Sequence, residues 1–125
     1  MRRTIVTTLC AAMLVLASGC GDTPESLMDD MLDELESVTA VLKAIKDEAS
    51  AKNAESKLRS SLERLKSIMQ RAKEMKKPEG DEAKALEKKF EERAKKIMGE
   101  FVGEMMRVSS ISPEVGKILR EMRVD

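Results

Sequence analysis

Residues 24–49 read PESLMDDMLDELESVTAVLKAIKDEA, and this stretch decides the fold. Apolar residues stand at Met28, Met31, Leu35, Val38, Leu42, Ile45 and Ala49, in steps that alternate between three and four. Such spacing returns a side chain to one face of an α-helix, the pattern of a seam that packs on other helices. Leu32 and Val41 flank the seam and widen it into the stripe that a bundle helix needs. Thr23-Pro24 suits an N-cap and first helical position, because the donor that proline lacks would be unpaired there anyway. Asp29, Asp30, Asp33 and Glu34 follow, favourably placed near the positive end of the helix dipole.

The same period continues downstream. Ala51, Ala54, Leu58, Ser61, Leu65, Ile68, Ala72 and Met75 form a second seam. It is out of phase with the first, which if continued would bury Lys52, Ser56 and Glu63. A break is therefore expected within 47–53, with Asp47, Ser50 and Asn53 as alternative caps. Lys77-Pro78-Glu79-Gly80-Asp81 is a loop signal, and Asp81 is placed to cap a third helix. That helix carries Leu86, Phe90, Ala94, Ile97, Phe101, Met105 and Val108. Ser109-Ser110-Ile111 breaks its pattern, and Ser112-Pro113 opens a short helix with Val115, Ile118, Leu119 and Met122 on one side. The expected fold is all-α: a three-helix antiparallel bundle over 24–46, 51–76 and 81–108, with a short C-terminal helix over 113–122. Short connections set neighbouring helices antiparallel. Residues 22–50 hold 2 basic and 9 acidic groups, and residues 51–77 hold 9 basic and 3 acidic, so the first two helices should attract. A long helical hairpin completed by a second copy is the alternative.

Composition narrows the function. The 125 residues suffice for one domain. Lys plus Arg and Asp plus Glu each number 23, and His is absent. No imidazole base, Ser-His or Cys-His pair, or His metal ligand can be assembled. Two Phe do not make a base-stacking platform, and a neutral charge balance argues against duplex DNA, so nucleic acid is not an expected partner.

The first twenty residues, MRRTIVTTLCAAMLVLASGC, are read as an address. Arg2 and Arg3 precede an uncharged run from Thr4 to Gly19, short for a bilayer span of about 20 residues and suited to a secretory signal. Leu16-Ala17-Ser18-Gly19-Cys20 resembles the lipobox of bacterial lipoproteins. The resemblance implies cleavage between Gly19 and Cys20, with Cys20 lipidated. It divides the chain into a signal peptide (1–19), a lipidated Cys and tether (20–23) and a helical domain (24–125). Cys10 leaves with the signal, and Cys20 remains as the one cysteine of the mature chain. Gly21 after the Cys, with Asp only at Asp22, implies the outer membrane in preference to the inner membrane, facing the periplasm in either case. The rest of the chain resembles small helical lipoproteins in general.

Few residues carry distinctive chemistry. The acidic residues at 29–36 share helix faces but lack the glycine turn of a calcium loop, and read as a solvated helix start facing basic partners. Methionine is abundant, and thioethers suit Cu(I); Met28, Met31, Met105 and Met106 are the weak metal candidates. Core or interface filler is the plainer reading of those stripes. Gly99 and Gly103 frame a G-x-x-x-G, read as close helix approach or a hinge. The basic run from Lys57 to Lys77 is read mainly as the partner of the acidic first helix. No phosphate loop, nucleophile elbow or metalloprotease helix is present. The expected function is a lipid-anchored envelope module, not an enzyme, without a cofactor, that binds an envelope protein or itself. The alternative is ligand handling: Cu(I) through Met, or an apolar ligand between helices.

Overall fold

The computed structural model describes residues 22–122. These form α1 (Pro24–Lys43), α2 (Glu48–Glu74), α3 (Gly80–Ile111) and α4 (Pro113–Glu121), with no strand among the described residues. Element order and class follow the heptads; several boundaries do not.

α1 opens as expected. The Thr23 hydroxyl accepts from the Ser26 N–H at 3.1 Å, and the Ser26 hydroxyl accepts from the Thr23 N–H at 2.9 Å, a reciprocal capping box. The helix stops at Lys43 instead of 46. Ala44 and Ile45 turn their N–H groups to the Val41 and Leu42 carbonyls, i→i+3 bonds that tighten the last turn. α2 starts at Glu48, three residues earlier than expected, because Asp47 and Ser50 act together. The Asp47 carboxylate accepts from the Ser50 N–H at 2.8 Å, and the Ser50 hydroxyl accepts from the Asp47 N–H at 3.1 Å. Asn53 lies exposed within the helix. Ala49 falls in the first turn of α2 and is exposed, so the first seam ends at Ile45.

This cap gives the fold an acid-sensitive point. The Ser50 backbone N–H, and next its hydroxyl, hold the Asp47 carboxyl below its ordinary value. A lowered folded-state value contributes stability above the unfolded value of about 4, lost as pH falls through the folded one. Asparagine caps as well as aspartate but does not titrate. Asp47→Asn should therefore match the parent chain near pH 7 and lose less stability below about pH 4. Thermal melts across that range check this, and identical acid slopes for both chains would refute it.

α3 departs from expectation at both ends. Asp81 does not cap it: Glu79 stands at the N-cap without a side-chain hydrogen bond, and Asp81 lies in the first turn. Gly80 turns the chain with φ +62°, a left-handed backbone that favours glycine. Ser109-Ser110 does not break the helix. The Ser110 hydroxyl donates back to the Arg107 carbonyl at 2.6 Å, satisfying itself inside the helix. Ser112 makes the stop: its N–H reaches the Val108 carbonyl, and its hydroxyl accepts from the Val115 N–H at 3.3 Å to start α4. α4 then folds back onto α3. A Cβ on Gly116 would sit 3.2 Å from Ser109 Oγ, so the two helices approach closely there.

α1 lies between α2 and α3, which scarcely meet each other directly. Pairs between α1 and α2 run in opposite order, Glu34 with Arg64 and Asp30 with Arg71. Pairs between α1 and α3 climb together, from Glu25 with Lys89 to Lys43 with Glu100. At the end where α1 finishes, α4 fills the space between α2 and α3. Val115, Ile118 and Leu119 join Val38, Leu42, Leu58 and Val108 in the main core. A smaller cluster of Leu32, Phe90 and Ile97 ties α1 to α3 nearer the other end, and Leu35 packs against both clusters.

Candidate functional site

Two surface features stand out from this packing. The first is a groove at the end where α1 begins. The α2–α3 gap that α4 fills at the far end is open here. The floor comes from Leu27, Met28 and Met31 of α1. Ile68 and Met69 of α2 with Met75 just past its end form one wall, and Pro78, Ala83 and Leu86 the other. The cavity measures about 420 Å³, within the roughly 300–1,000 Å³ common for small-molecule sites. Lys76, Lys77 and Glu87, all exposed, are its charged lining residues.

The second feature is a stripe on α3. Met98, Val102 and Met106 recur every four residues and are 45%, 40% and 69% exposed. Gly99 and Gly103 lie beside them, and a Cβ on either would meet no atom within 4 Å among the described residues. Close helix approach within the chain, expected from the G-x-x-x-G spacing, is therefore not what these glycines serve. Each costs about 1 kcal/mol relative to alanine in a helix.

The charged residues are organised around α1. Arg93 of α3 reaches Asp29 at 3.1 Å, Asp33, and Glu36 at 3.0 Å. The Asp33 and Glu36 carboxylates hold its guanidinium above its usual value. Lys89 pairs with Glu25. On the other side Arg71 meets Asp22 at 3.0 Å and Asp30 at 3.4 Å, and Arg64 meets Glu34 at 2.9 Å. Burial would raise the Glu34 carboxyl, but hydrogen bonds from Arg64 and Ser61 with the Arg64 charge outweigh it and leave it lowered. The acids of α1 are thus shared between α2 and α3, whereas the sequence assigned them to α2 alone. Lys57, Arg59, Lys73, Lys76 and Lys77 of the basic run form no ion pair among the described residues. Among the Glu–Lys and Glu–Arg pairs that stand at i,i+4 in the sequence, Glu91–Lys95 forms at 2.5 Å, and Glu92–Lys96 and Glu55–Arg59 form no ion pair among the described residues.

The methionine candidates separate. Met28 and Met31 enter the groove with Met69 and Met75, whereas Met105 is buried in the main core and Met106 points outward. Gly19 and Cys20 lie outside the described residues. No helix among the described residues is long and apolar enough to cross a membrane. The chain matches no protein-family model, no curated protein and no solved structure. The groove was not assembled from sequence, because its walls come from three helices and its opening depends on where α4 folds.

Proposed function

We propose that this chain is a lipid-anchored lipoprotein of the bacterial cell envelope. Its folded part is a three-helix antiparallel bundle with α4 across one end. It acts as a non-enzymatic module that holds another envelope protein or a second copy of itself. The exposed stripe of Met98, Val102 and Met106 carries this reading. Large apolar side chains in a row on an otherwise charged helix mark an interaction surface, and thioethers adapt to a partner's shape. Gly99 and Gly103 beside them let a partner helix come close. The anchor rests on Leu16-Ala17-Ser18-Gly19-Cys20 after a basic, apolar leader. Two or more acyl chains hold a protein on a membrane where one does not. Cleavage at Gly19–Cys20 places that anchor four residues before Pro24, facing the periplasm, with the outer membrane favoured by Gly21.

One experiment covers both halves. Cells expressing the full chain are fed labelled palmitate, and a photo-crosslinking residue is placed at position 102. The parent chain should carry label, and Cys20→Ser should lose all of it. Crosslinking should give one discrete adduct from position 102 and none from position 63 on the exposed face of α2. Adding Met98→Glu should reduce that adduct at least tenfold. An unmodified Cys20, a retained leader, or equal crosslinking from positions 102 and 63 would each overturn the corresponding half.

A further inference from the structure

We propose that the groove at the start of α1 is a binding site for one long-chain fatty acid, with the acyl chain along the methionine-lined floor and the carboxylate at Lys76 and Lys77. Five observations point to this occupant. The far half of the same α2–α3 gap is filled by apolar side chains of α4, namely Val115, Ile118 and Leu119. The near half has the same apolar character and no segment of the described chain fills it. The walls offer methionine, leucine, isoleucine, alanine and proline, with no buried donor or acceptor to satisfy a peptide backbone or a sugar. Methionine side chains reshape around an irregular, flexible guest. The cavity of about 420 Å³ is small-ligand sized.

The charged lining selects the head group. Lys76 and Lys77 are exposed residues that line the groove, and neither has an ion-pair partner among the described residues. Glu87 is the one acid among the lining residues, so the lining keeps a positive balance that suits a carboxylate and disfavours a cationic head. Lysine stems can lie along the acyl chain while their ammonium groups stay in water. The site does not depend on the lipid anchor, since every residue used lies within the helices or the loop between α2 and α3.

The chain from Gly21 to Asp125 contains every described helix and core residue, and it lacks Cys20, so binding can be read without the anchor. It is titrated with cis-parinaric acid, followed by displacement with palmitate and with hexadecanol. Palmitate should displace the probe at low micromolar concentration, and hexadecanol at least tenfold less well. Met69→Glu, on the half-buried wall, should weaken palmitate at least tenfold while keeping the parent's helical signal. Lys76→Glu with Lys77→Glu should weaken palmitate about tenfold and leave hexadecanol unchanged. Val102→Glu, on α3 away from the groove, should bind as the parent does. Equal affinity for the acid and the alcohol would overturn the carboxylate assignment. Unchanged binding in Met69→Glu, or no displacement at 100 µM palmitate, would overturn the site. A dimer that Met69→Glu dissociates would show a second copy in the groove instead, and would equally overturn it.

Discussion

Leu58→Ala should remove roughly 2–5 kcal/mol of stability, the usual range for a buried leucine reduced to alanine. Leu58 is fully buried at mid-length in α2, in the core cluster that draws side chains from all four helices. Its side chain is 0% exposed, so all of its contacts are lost to the core, which places the cost in the upper half of that range. A domain of this size is stable by about 5–15 kcal/mol in total, so one such change takes a large share. At about 4–8 °C per kcal/mol for a domain near 100 residues, the melting temperature should drop by at least 10 °C. In urea the midpoint should fall with little change in slope, because the same surface is exposed on unfolding. Leu35 packs against both core clusters, so the loss should appear as one transition by helical signal and by hydrogen exchange alike. Met106→Ala, 69% exposed on α3, is the control and should stay within about 0.5 kcal/mol. A Leu58→Ala chain as stable as that control would mean that the core is not where the structure puts it.

The seams differ in how well they foretell burial, and the reason is the number of neighbours each helix has. From Ala51 to Ile68 every position of the α2 seam is buried. That helix leans on α1 along its length and meets α4 near its start, so one narrow stripe suffices. α1 is packed on two sides, and a seam drawn for one partner misplaces its inner face. Leu27 and Leu32, beside the predicted seam, are buried, while Met28, Met31 and Leu35 on it are partly exposed. Two of those three line the groove. Ala72 lies on the predicted α2 seam yet is exposed for the same reason: no helix covers that end. The Thr23 cap was legible beside Pro24, whereas Asp47 was one of three candidates and its pairing with Ser50 settles the choice. The Ser109-Ser110 pair misled because serine favours helix ends in isolation, whereas here the Ser110 hydroxyl returns to its own helix and α4 packs beside Ser109.

The contact furthest from legibility is the one that closes α1. Arg107 of α3 donates from Nη1 to the Ile45 carbonyl and from Nη2 to the Leu42 carbonyl, both at 2.8 Å, while its Nε donates to Glu104. The chain separation is 62 and 65 residues, so no local pattern announces it. The carbonyls at the end of a helix carry the negative end of its dipole; the Leu42 carbonyl already accepts from the Ile45 N–H and gains the guanidinium as a further donor, while Ile45 lies just past the helix. A guanidinium fork supplies two aligned donors and a positive charge at once. Hydrogen bonds to a charged group contribute about 1.5–3 kcal/mol each, less for partly exposed ones, so Arg107→Ala should cost about 2–3 kcal/mol. Arg107→Lys should recover less than half, because one ammonium does not bridge two carbonyls with fixed geometry. Arg107→Met keeps the apolar stem without the fork and should behave as alanine does. Urea unfolding of the three variants checks the order, and amide exchange should quicken in the turn at 44–47 before it does in α2. Full recovery by lysine would reduce the contact to simple charge. An alanine variant within 0.5 kcal/mol of the parent would show that water satisfies the Leu42 and Ile45 carbonyls equally well, and that α1 needs no clasp from α3.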